Sequence, residues 1–130
     1  MPNMAVKVLD AGDKAYLKFL EWARRNQHNP YVPTVYDVVY VDVINNHGYV
    51  IVFLEMLKDL NSTEYDIFLE ELQCKHLNYN SLLDARDSVQ SDELRTLLNY
   101  LVSKQKLLDL HQANFMRRGD HIVFTDPICQ

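Results

Sequence analysis

The stretch from Thr34 to Leu54 constrains this chain more than any other. Thr34 to Ile44 alternates and is rich in valine and tyrosine, Asn45-Asn-His-Gly48 has the composition of a tight turn, and Tyr49 to Leu54 is an apolar run of six residues. That order predicts an antiparallel hairpin whose second strand is buried. The hairpin is entered through Asn29-Pro30-Tyr31-Val32-Pro33. Proline removes a backbone donor and pushes the preceding residue away from helical angles, so no helix runs through this segment.

The flanking segments build around the hairpin. Met4-Ala-Val-Lys7-Val-Leu9 is short and β-branched, which suits a strand that joins the pair, with Lys7 as its polar position. A lysine on an edge strand also discourages unwanted pairing. Asp13 is placed to cap a helix running to about Asn26, with Tyr16, Leu17, Leu20 and Ala23 on its apolar stripe and Trp22 beside them. Glu21 lies next to that stripe and reads either as a partner of Lys7 or, preferably, as a solvated neighbour of Lys18 and Arg25.

Beyond residue 57 the pattern changes. Ser62 or Thr63 is expected to start a helix reaching about His76, and Ser91 to cap one from Asp92 to about Leu107; Asn78 to Gln90 is too polar to assign. The stretch from Asn114 to Asp126 reads as two short strands joined by a turn around Gly119. The expected fold class is therefore α+β: a small antiparallel sheet with one packed helix over residues 1–57, then a mostly helical part with a C-terminal β-hairpin over 58–130, in one domain.

Charge and composition narrow the function. A formal net charge of -5 and a pI near 5.4 disfavour a partner that is all phosphate backbone, so no nucleic-acid binding is expected, whereas an acidic face suits a basic protein. Cys74 and Cys129 match no metal spacing, and the five histidines lack an i, i+4 pair, so neither predicts a metal site. The N-terminus has no signal-peptide pattern and no apolar run approaches the roughly 20 residues that cross a bilayer, so a cytoplasmic protein with reduced thiols and no membrane segment is expected.

The candidate chemistry lies in Asp109-Leu-His-Gln-Ala-Asn114 and Asp126-Pro127. Two carboxylates and an amide oxygen are hard donors suited to magnesium, and brought to one edge they could hold a divalent cation against a phosphate. Lys7 in Ala-Val-Lys-Val resembles the strand lysine of protein kinases. Asp109 and Asn114 keep the five-residue offset of the kinase catalytic loop, and Thr125-Asp126-Pro127 stands where Asp-Phe-Gly would.

Val-Pro-Thr-Val-Tyr-Asp-Val (32–38), Leu-Glu-Met-Leu-Lys-Asp-Leu (54–60), Asp-Leu-His-Gln-Ala-Asn-Phe-Met (109–116) and Phe-Thr-Asp-Pro-Ile (124–128) resemble the early seryl/threonyl protein kinase of autographiviruses, a family of lytic bacteriophages. The resemblance runs from Met4 to the end of the chain. It implies a reduced protein-kinase-like fold, expression in a host bacterial cytoplasm and a role in host shutoff. Within it Lys7 would contact the α and β phosphates, Glu21 would pair with Lys7, and Glu55 to Leu57 would line the adenine. Asp109 would be the base, and Asn114 and Asp126 would hold metal.

The chain departs from that pattern as well. No glycine-rich loop precedes Lys7, no activation segment follows Asp126, and Leu107 and Leu108 stand where the kinase loop has His and Arg. Phosphoryl transfer depends on positioning and charge stabilisation, so these departures favour a pseudokinase without a required cofactor. The expected role is a phage effector that binds and inhibits a host protein, such as a transcription component or an antiviral-defence CRISPR complex. The alternative is an active minimal kinase using Mg-ATP to modify host proteins. Apolar surface left by missing parts would also favour a homo-oligomer.

Overall fold

The structure is a computed structural model that describes residues 3–42 and 48–129. Its first part runs β1 (Met4–Asp10), α1 (Lys14–Arg25), β2 (Val35–Asp42) and β3 (Gly48–Glu55). The strands form an antiparallel sheet in the order β1-β3-β2, with Lys7 opposite Val52 and Val52 opposite Val38. Asn45 to His47, where the hairpin turn is expected, lie outside the described residues, as do Val43 and Ile44.

The sheet is buried on one face only. Val50 and Val52 are fully buried, while Ile51 and Phe53 are half-buried and Val6, Val8, Val39 and Tyr49 are exposed on the opposite face. The expectation that the whole run from Tyr49 to Leu54 is buried is thus corrected. Side chains alternate across a pleated strand, and only the α1-facing set is covered.

The α1 stripe is wider than expected, because Ala15 and Phe19 are buried with Tyr16, Leu17, Leu20 and Ala23. Asp13 stands at the N-cap but its side chain makes no capping bond. Trp22 stacks on Tyr100 with ring centroids 4.5 Å apart, which ties α1 to the later helices.

The second part contains β4 (Lys58–Asp59), α2 (Ser62–Glu71), α3 (Tyr79–Ser88), α4 (Asp92–Val102), β5 (Phe115–Arg118) and β6 (His121–Phe124). Asn61 caps α2 in place of Ser62 or Thr63, since its carboxamide accepts from Glu64 N while the Glu64 carboxylate accepts from Asn61 N. The helix stops well before His76, because Gln73 adopts φ 58° and turns the chain toward α3. The unassigned segment is therefore helical, capped reciprocally by Asn78 and Ser81. Likewise α4 ends at Val102, and a separate 3-10 turn covers Gln105–Leu107 with Gln105 at φ 38°.

The expected C-terminal hairpin is present as β5 and β6, turning at Gly119 with φ 60°. Pairing of β4 with β5 extends it to a three-stranded sheet in the order β4-β5-β6. The architecture is α+β, with two small antiparallel sheets and four α-helices among the described residues. One core joins them. Phe68, Phe115 and Phe124 pack ring against ring at 4.7–6.1 Å, and the same buried cluster reaches Leu20, Val52, Leu82 and Leu98. No helix is long and apolar enough to cross a membrane among the described residues.

Candidate functional site

The two sheets meet along a cleft of about 350 Å³, within the range of small-molecule sites. One wall is β1, with Ala5 and Lys7, and Tyr16 of α1 stands behind it. The connecting wall is Leu54 to Leu57, where the chain leaves β3 and passes to β4. The opposite wall carries Asn114, Met116, Thr125 and Asp126. Lys7, Glu55, Leu57, Asn114 and Asp126, far apart in sequence, thus face one cavity.

Backbone bonds fix the acidic wall. The carbonyl of Asn114 accepts from Thr125 N at 3.0 Å, Asp126 N at 3.2 Å and Thr125 Oγ1 at 2.9 Å. Its side-chain Nδ2 donates to the Asp109 carbonyl at 2.9 Å, which leaves the Oδ1 end for a cation. Tyr65 Oη donates to the Leu110 carbonyl at 2.8 Å, Gln112 Nε2 to the Leu60 carbonyl at 2.9 Å, and Asp109 N to the Pro127 carbonyl at 2.8 Å. The segment 109–114 is therefore held from α2, from the β4 region and from residues 125–127.

The charges in the cleft are coupled. Burial raises the Asp126 carboxyl above its usual range; the Lys7 charge opposes this, and Asp13 and Asp109 reinforce it. Lys7 Nζ lies 4.4 Å from the centroid of the Tyr16 ring and donates to its hydroxyl at 3.4 Å. The Tyr16 phenol is pushed well above its ordinary value, first by burial and then by Asp126 and Asp13. A half-buried carboxylate and an amide side chain on the lining of one cleft supply hard donors of the kind magnesium takes, and among the described residues no cluster of three or more His, Cys, Asp or Glu side chains placed to hold a metal stands with them.

Glu55 is occupied as a side chain. It receives the Arg118 guanidinium and accepts from Thr34 N at 2.9 Å. Burial pushes its carboxyl up, but the Arg118 and Thr34 hydrogen bonds outweigh this and hold it below the usual value. Any contact from Glu55 to a ligand in the cleft would be through its backbone.

Two candidate residues stand apart. The Asp109 carboxylate lies 3.2 Å from His111 Nε2 and lines a neighbouring cavity of about 280 Å³ with Tyr79 and Leu108. Glu21 is exposed and accepts from the Tyr40 hydroxyl at 3.2 Å, while the Lys7 ammonium is directed to Tyr16. Tyr16 and Arg118 did not stand out as site residues in the sequence. Tyr16 carried only the signal of the α1 stripe, and Arg118 none beyond its charge. No protein-family profile, curated protein or solved structure matches this chain.

Proposed function

We propose that the cleft is a magnesium-nucleotide site of protein-kinase type, and that the chain acts as a kinase-derived effector on a host bacterial protein. The observation that carries this reading is the meeting of Lys7, the 54–57 connection, Asn114 and Asp126 around one cavity. Lys7 would meet the α and β phosphates, the backbone at Leu57 the adenine edge, and Asn114 with Asp126 the cation. A bound magnesium ion would supply charge neutralisation at the phosphates. Ala5 and Met116 of the lining would offer a planar base apolar contact.

The pseudokinase form of this reading is supported by three details. Asp109 is paired with His111 outside the cleft, Glu21 is engaged by Tyr40, and Lys7 rests on Tyr16. An active minimal kinase is the second reading, supported by the bond that ties Asn114 to the Asp109 backbone and so keeps base and metal ligand on one rigid loop.

Calorimetric titration with Mg-ATP tests the site. Binding is expected, with a gain of about 2.7 kcal/mol in stability when the ligand is held at 100 times its Kd. Absence of binding, or binding unchanged by Asp126→Asn, overturns the nucleotide reading. Transfer of labelled γ-phosphate to proteins of a bacterial lysate, lost in Asp109→Asn while ATP still binds, would select the active form.

A further inference from the structure

We propose that the groove between α2 and the β5–β6 turn binds an extended, basic segment of a partner protein. It lies apart from the nucleotide cleft. A cavity of about 350 Å³ has Leu60, Phe68 and Ile122 as its apolar lining and Glu64, Glu71 and Asp120 on its rim. A second cavity of about 340 Å³ shares Tyr31, Phe68 and Glu71 with it and continues to Val89 and Leu94 at the start of α4. With three lining residues in common, the two cavities are neighbours, an arrangement that suits a stretch of chain better than a compact small molecule.

The charges specify the occupant. Glu64 is already used, capping α2 through Asn61 and lying 3.5 Å from Arg117 Nε. Glu71 of α2 and Asp120 of the β5–β6 turn are exposed and form no ion pair among the described residues. In the same lining Ile67 keeps 51% of its surface exposed, and the buried Nδ1 of His121 has no hydrogen-bond partner among the described residues. Arginine or lysine side chains would meet the two free carboxylates, and an apolar neighbour in the same segment would cover Ile67 and Phe68. A phosphate backbone would be repelled by the same rim.

This groove gives a surface to the protein-partner half of the preceding reading. Its test contains no nucleotide, so the two fail separately. The probe is a fluorescein-labelled peptide in which a run of arginines precedes two leucines, followed by fluorescence anisotropy at low salt. Saturable binding is expected, weakened roughly tenfold or more in Glu71→Lys/Asp120→Lys and by added salt. Ile67→Ser should weaken it independently, and replacing the arginines by glutamates should abolish it. Glu71→Gln/Asp120→Asn, with unchanged melting temperature, guards against misfolding of the charge-reversed form. No binding by the basic peptide, or equal binding by wild type and both double variants, overturns the proposal. So does light scattering that shows a dimer in the wild type and a monomer in Ile67→Ser, since a second copy would then occupy the groove.

Discussion

The Arg118 guanidinium donates to both carboxylate oxygens of Glu55, a residue 63 positions earlier, and with two further N–H groups to the carbonyls of Pro30 at 2.9 Å and Val32 at 3.1 Å. One side chain of the second sheet thereby holds both the end of β3 and the loop that leads into β2. Replacing it by methionine keeps much of the volume but leaves the partly buried Glu55 carboxylate with Thr34 N as its donor and takes the Arg118 donors from two carbonyls. Arg118→Met should destabilise the fold by about 2–3 kcal/mol, read by urea denaturation.

The same contact sets an acid limit. The folded Glu55 carboxyl lies below its unfolded value of 4.5, so its stabilisation is fully present above 4.5 and is lost as pH falls through the folded value. The melting temperature of the wild type should therefore drop on acidification in that window. In Glu55→Gln, already lower at neutral pH, the drop should be smaller.

Asp126 has the opposite sign. Its folded carboxyl is raised above the unfolded value of 3.8, so its contribution to stability is most favourable below 3.8 and declines as pH rises through the raised value. Asp126→Asn should melt higher than wild type at neutral pH, with the advantage shrinking toward pH 3.8. Magnesium needs the ionised form, so Mg-nucleotide affinity should rise with pH over the same window in the wild type. A pH series of melts and titrations checks both.

Lys7 is exposed on β1 and contributes a cation-ring contact but no ion pair among the described residues. Lys7→Met should change stability by no more than about 0.5 kcal/mol, as surface substitutions do. Nucleotide affinity should nevertheless fall roughly tenfold or more, the worth of a charge-assisted bond to phosphate. Unchanged affinity would remove Lys7 from the site.

Phe19, fully buried in α1, tests the packing instead. Phe19→Ala should cost about 3–5 kcal/mol by urea denaturation. Asn29→Ala should cost about 1–3 kcal/mol, since the buried carboxamide bridges Glu93 O at 2.8 Å and Tyr31 N at 3.0 Å.

Elements written by local periodicity were legible in the sequence. The α1 stripe, the β1 strand and the β5–β6 hairpin with Gly119 at its turn follow from spacing that each segment carries by itself. The second strand of the first hairpin was located correctly, but its burial depends on which face α1 covers, a fact no single strand contains. α3 was obscured by its polarity, since only Leu82 and Ala85 are buried in it. The two-residue β4 exists because Arg117 and Met116 of β5 are opposite it, which sequence periodicity does not encode. Among the residues that line the cleft, Lys7, Asn114 and Asp126 are ones that type and spacing single out in the sequence. Arg118 is not among them, because a charged residue on a short strand is ordinarily solvated and its four acceptors come from two segments distant in sequence, the 30–32 loop and Glu55.

Because the main-chain carbonyl of Asn114 anchors both Thr125 and Asp126, the backbone positions from which the amide and the carboxylate extend are held together by the main chain. Such a frame adapts poorly to ionic radius. Magnesium asks for oxygens at about 2.0–2.1 Å and calcium for about 2.3–2.6 Å, so, if the wall holds a cation as proposed, it should discriminate between them by size. Lengthening one arm, as in Asp126→Glu, should alter which ion is preferred rather than merely how strongly any ion is held.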